Sequence, residues 1–229
     1  MSWDQLACMI EREVKEGDTR MLNFAITQFG ENQESPITKI TKEPDEQRYK
    51  RAIIKATKKL FGQNPSEDDL LAIVCCAPTL KNQAWQKLKP QMLTKDMIKS
   101  GALKQIIKSK APLLIRKEAA EILVKAESKL LKIWRKSTRD LKGIPKGPKE
   151  KKDYFECLKI VQRIKEDLLL VLESKLPKPI KKATAQELLQ EARFHETREL
   201  LLIKKHVPSL RNQAEKIFQE TVNQRTTPK

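Results

Sequence analysis

The chain has 229 residues, 39% of them hydrophobic and 5% aromatic, and 47 Lys+Arg against 30 Asp+Glu give it a formal net charge of +17. That hydrophobic share suffices to bury a core, so the chain should fold, while the excess positive charge points to an anionic partner before it points to catalysis. No apolar run approaches the ~20 residues of a membrane span, and acidic residues interrupt the first turns where a signal peptide would be apolar, so no membrane partner is expected and the chain reads as intracellular.

The charge is concentrated. Residues 1–80 carry 11 Lys+Arg and 13 Asp+Glu, residues 81–142 carry 17 and 5, and residues 143–229 carry 19 and 12. Lys, Glu, Leu, Ile, Ala and Gln recur throughout, with 6 Gly and 12 Pro as punctuation. Intrinsic propensity therefore favours helix over sheet. The expected fold is all-α, a multi-helix bundle with short connections and a flexible basic loop.

In chain order, apolar spacing predicts helices over Trp3–Lys15 and Thr19–Phe29, followed by a polar linker to Pro44. Asp45–Phe61 reads as a two-faced helix with Tyr49, Ile53, Ala56 and Leu60 on its apolar stripe. Arg48, Arg51, Lys55, Lys58 and Lys59 recur on the other face, where they would either lie along phosphates or simply be solvated. Gly62 ends this helix, and Ser66-Glu-Asp-Asp69 opens a buried one holding Leu70, Leu71, Ile73, Val74, Cys75 and Cys76.

Pro78, Pro90 and Pro112 divide the next stretch, with Thr94 as an N-cap and Gly101 as the stop of a short helix over Lys95–Ser100. Pro112–Lys136 is the longest regular pattern. Its expected buried stripe is Ile115, Ala119, Ile122, Leu123, Ala126, Leu130, Ile133 and Trp134, with Lys117, Glu121, Lys125, Lys132 and Arg135 facing away. Lys142–Lys152 contains two Gly, two Pro and five Lys and reads as a flexible basic loop.

Asp153–Lys175 is amphipathic through Cys157, Val161, Ile164, Leu168, Val171 and Leu172. Thr184-Ala-Gln-Glu187 has the spacing of a capping box and is expected to open a helix reaching His206, and Ser209 restarts the chain toward Asn223. These pieces predict an N-terminal segment and linker over 1–44, a central basic bundle over 45–140, the loop over 141–152 and C-terminal helices over 153–229.

The chemistry-bearing residues are sparse. Cys8, Cys75, Cys76 and Cys157 lack the spacing of a disulfide framework or a zinc site, and His195 and His206 lie too far apart to share a metal. His195 reads as a packing residue and His206 as a cation at a helix C-terminus. No G-x-S-x-G elbow and no P-loop occurs, so neither an enzyme nor a cofactor is expected. Trp85, Trp134, Tyr154 and Phe155 fall where a helical core would take them. Sequence-independent phosphate contacts would come from the Arg48, Arg51, Lys55 and Lys58 stripe and from Lys142, Lys146, Lys149, Lys151 and Lys152.

Trp85-Gln-Lys-Leu-Lys-Pro-Gln-Met-Leu-Thr94, Ser100-Gly101-Ala-Leu-Lys-Gln-Ile-Ile-Lys108 and Leu130-Leu-Lys-Ile-Trp134 together resemble the N-terminal domain of transcription elongation factor TFIIS. They are also similar to the integrase-binding domain of the lens-epithelium-derived growth factor. The glycine–lysine turn of that family is replaced here by Ala102-Leu103-Lys104, and two extra residues precede Trp134. The resemblance implies a compact bundle that grips short disordered motifs of transcription proteins, with Leu103, Ile106 and Ile107 near the groove.

Two functions follow as expectations. One is a non-enzymatic, nuclear, transcription- or chromatin-associated adaptor for peptide motifs. The other is a basic, nucleocapsid-like protein that packages RNA and self-associates as a homo-oligomer.

Overall fold

A computed structural model describes residues 12, 51, 54–55, 57–77, 79–92, 99–139, 148–190 and 197–226. The expected helices over 3–15 and 19–29, the linker to Pro44, the Thr94 cap and His195 lie outside them, apart from Arg12, which is helical. The described residues are all-α and contain no strand. After a helical stretch that ends at residue 62, the helices are α1 (Glu67–Cys76), α2 (Lys81–Leu88), α3 (Ser100–Lys108), α4 (Leu113–Arg139), α5 (Pro148–Glu173), α6 (Lys178–Leu189), α7 (Thr197–His206) and α8 (Arg211–Thr226). Short 3-10 turns follow α2 and α7. The chain divides into two compact units, Met1–Arg116 and Lys117–Lys229, so the break falls inside α4 and the boundary expected near 140 lies within the second unit.

In the first unit, α1 begins as its sequence demands. Asp69 N–H donates to Ser66 Oγ at 3.2 Å and Ser66 N–H donates back to Asp69 Oδ2 at 3.0 Å, so two helix-end donors are satisfied reciprocally. The preceding helix runs through Gly62, and the left-handed residue that turns the chain is Asn64, with φ 56°. α1 packs against α2 and α3 around Leu70, Ile73, Val74, Ala84, Trp85 and Leu88, none more than 2% exposed. Cys75 is buried in the same core.

Gly101 does not stop a helix; it is the second residue of α3. The stop is Ser109, whose Oγ donates to Ile106 O at 2.8 Å and accepts from Ala111 N–H at 3.0 Å. Arg116 Nε then donates to Ala111 O at 3.0 Å and ties the turn to the start of α4.

In the second unit, α4 keeps Ala119 and Leu123 of the expected stripe buried, and its buried face departs from that stripe further along the helix. Ala120, Leu123, Val124, Glu127, Ser128 and Leu131 are buried, whereas Ile133 is 63% exposed. The α5 stripe is as expected, with Val161, Ile164, Leu168, Val171 and Leu172 all buried. Its start is not, because Pro148–Lys152 is already helical and the loop reading fails there; proline is well suited to a first helical position, where no intrahelical N–H is missed.

Thr184 is likewise no N-cap. α6 begins at Lys178 beside Pro177 and Pro179, and Thr184, fully buried in mid-helix, donates from Oγ1 to Ile180 O at 2.8 Å. α7 and α8 pack on each other, and α5 packs on α6 and α7. Among the described residues, no helix is long and apolar enough to cross a membrane.

Candidate functional site

The residues expected to grip peptides are not available to a partner. Leu103 and Ile106 are 0% exposed and Ile107 is 1%, so they form the apolar face by which α3 enters the first unit's core. The apolar recurrence of these three residues, which the resemblance placed near a groove, is the periodicity of core packing.

The basic stripe of the first unit is exposed where it is described: Arg51, Lys55, Lys58 and Lys59 all face solvent. Nearby, Lys87 Nζ sits 4.2 Å from the centroid of the Phe61 ring, a cation–π contact that holds one ammonium to the surface. Arg48, Lys142 and Lys146 lie outside the described residues, and Lys149, Lys151 and Lys152 are in the first turns of α5.

A concave surface occurs in the second unit, built from Lys125 and Lys132, which the sequence placed on an outward face, and from Lys129 between them. Lys125, Lys129 and Lys132 of α4 line an open groove of about 880 Å³ whose other wall is α6, with Pro179, Ile180, Ala183 and Gln186, and with Gln213 contributed by α8. Helical rise separates the first two lysines by about 6 Å and the last two by about 4.5 Å along the axis, so three ammonium groups follow one wall in a row. Ile180 and Val124 give the groove an apolar floor, while Gln186 and Gln213 offer neutral amides that can donate or accept.

Two carboxylates also line the groove. Glu121, at one end of the lysine row, is drawn toward Lys117 Nζ at 3.8 Å, and Glu187 lies on the α6 wall. The unit as a whole is strongly cationic, with 27 Lys+Arg against 16 Asp+Glu over residues 117–229. The i, i+4, i+7 spacing of these lysines was readable in the sequence; the facing wall, which comes from fifty residues further on, was not.

A second, smaller cavity of about 420 Å³ opens at the N-terminal end of α6, lined by Lys178, Lys182, His206 and Ser209 together with Pro179, Val207 and Pro208. His206 ends α7, but it is a poor helix-end cation. Partial burial, then the charges of Lys181 and Lys205, hold its pKa below the ordinary imidazole value, against the opposing pull of Glu173. Burial also lowers the Lys181 pKa.

Behind these surfaces the second unit buries charge. Lys165 Nζ of α5 meets Glu199 Oε1 of α7 at 2.9 Å, with the two side chains 2% and 1% exposed. Glu127 of α4, fully buried, lies 4.0 Å from the half-exposed Arg163 guanidinium, and Asp167 is buried on the same helix as Lys165. Among the described residues no group of three or more His, Cys, Asp or Glu is placed to hold a metal ion. Phe155, expected in the core, is 60% exposed on α5. No protein-family model, curated protein or solved structure matches this chain.

Proposed function

We propose that this protein is a non-enzymatic, all-α binding module whose C-terminal unit holds nucleic acid through phosphate contacts in the groove between α4 and α6. The observation that carries the reading is the row of Lys125, Lys129 and Lys132 along one wall of a concave surface. Ammonium groups in a row neutralise successive phosphates and release their counterions, and a concave surface aligns the strand along that row. The apolar floor and the amides of Gln186 and Gln213 suit bases or sugars without selecting a sequence.

The adaptor reading implied by the resemblance would need other residues to hold its peptides, because Leu103, Ile106 and Ile107 belong to the core. The nucleic-acid reading is therefore the one supported by an accessible surface.

Fluorescence anisotropy with labelled single-stranded RNA over a salt series tests it. Replacing Lys125, Lys129 and Lys132 together by Gln is expected to make the slope of log affinity against log salt shallower by about 2, since each single-strand phosphate contact contributes roughly 0.7. An unchanged slope in a folded triple variant would remove the groove from the account.

A further inference from the structure

The lysine groove and the cavity at His206 share a residue. Pro179 lines both the lysine groove and the smaller cavity at His206, so the concave surface continues past the start of α6. On the far side the lining changes from three lysines of α4 to Lys178 and Lys182 of α6, His206 at the end of α7 and the Ser209 hydroxyl. All four carry groups that donate hydrogen bonds to an anion, given a proton on the imidazole, and no carboxylate lines this cavity.

We propose that the cavity at His206 is a second phosphate subsite for the single strand that occupies the lysine groove, the strand crossing Pro179 between the two. This rests on the groove reading above and extends it by naming the path and the form of the ligand. A stiff duplex would span a concave track without following it, whereas a flexible single strand can turn at Pro179 and place phosphates on both sides.

The histidine makes the subsite sensitive to acidity. Its free imidazole is kept neutral at pH 7 by partial burial and by Lys181 and Lys205, with Glu173 pulling the other way; Glu173 is itself engaged by Arg198 Nη2 at 3.3 Å. A phosphate beside Lys178 and Lys182 offsets the repulsion of Lys181 and Lys205 and favours the imidazolium, so binding takes up a proton. Affinity then rises as the pH falls from neutrality toward and below 6.5, the reference value for the free side chain.

The test uses the full chain and an oligouridylate of about twenty nucleotides carrying a pH-insensitive rhodamine label, so that neither bases nor label titrate in this range. At about 0.1 M salt the Lys178→Gln, Lys182→Gln double variant, which alters exposed side chains, is expected to bind on the order of tenfold more weakly, with a salt slope shallower by about 1.4. From about pH 7.5 to about pH 5.5 the natural protein is expected to tighten by about fivefold, and His206→Gln is expected to bind equally at both.

Wild-type affinity and slope in the double variant, with the groove variant still impaired, would overturn the subsite and leave the groove reading standing. Absence of RNA binding by the natural protein at low salt would overturn both. Equal binding of the complementary duplex would overturn the single-strand path, and equal binding of polyglutamate of similar length would overturn the phosphodiester assignment.

Discussion

Lys165 and Glu199 pose the sharpest energetic question at the scale of single residues. Removing two charges from water is costly, and a 2.9 Å contact between two side chains at most 2% exposed offsets that cost only while both partners are present. Lys165→Met is expected to destabilise the protein by about 3–5 kcal/mol, because it leaves the Glu199 carboxylate buried without this ammonium. Adding Glu199→Leu is expected to recover most of the loss, as measured by urea unfolding of the three proteins. A double variant as unstable as the single one would mean that the pair is not the unit that matters. Neither residue was legible as buried: in α5 Lys165 lies between Ile164 and Leu168, where a snorkelling lysine is the ordinary expectation, and only the approach of α7 encloses it.

At the scale of elements, local chemistry was readable where one segment decided the outcome. Ser66 and Asp69 specify the start of α1 by themselves, and Ser66→Ala is expected to cost about 1 kcal/mol in thermal or urea unfolding. Thr184 and Glu187 have the same spacing, yet Pro177 and Pro179 start the helix earlier and leave Thr184 facing the core. A capping pattern and a mid-helix pattern are the same letters until an upstream proline decides between them. Ile115, Ala119 and Leu123 of α4 are buried as expected, and the departure beyond them has another reason. Hydrophobic periodicity cannot count a buried Glu127 or Ser128, and those two residues lie on the face that packs. Gly101 was read as a terminator because glycine so often is one, but within α3 its missing side chain would meet nothing within 4 Å. Gly101→Ala is therefore expected to stabilise the protein by about 0.5–1 kcal/mol, seen as a raised Tm. A lower Tm would show that close packing, not helix propensity, governs that position.

At the scale of the whole molecule, all-α architecture and a cationic surface were both legible in composition, since helix formers and lysine dominate the chain. The location of that surface was not. Residues 1–116 carry 20 Lys+Arg against 14 Asp+Glu, and residues 117–229 carry 27 against 16, so the larger excess belongs to the second unit. Charge counting by sequence window placed the emphasis on 81–142, a span that the fold divides inside α4. A groove needs two walls, and α6 joins α4 only in three dimensions. The most direct measurement is protection of individual lysines from acetylation, read by mass spectrometry with and without single-stranded RNA. Lys125, Lys129 and Lys132 are expected to be protected together by the RNA while the exposed Lys108 and Lys216 remain reactive. Protection confined to Lys55, Lys58 and Lys59, with the three groove lysines as reactive as before, would contradict the central claim.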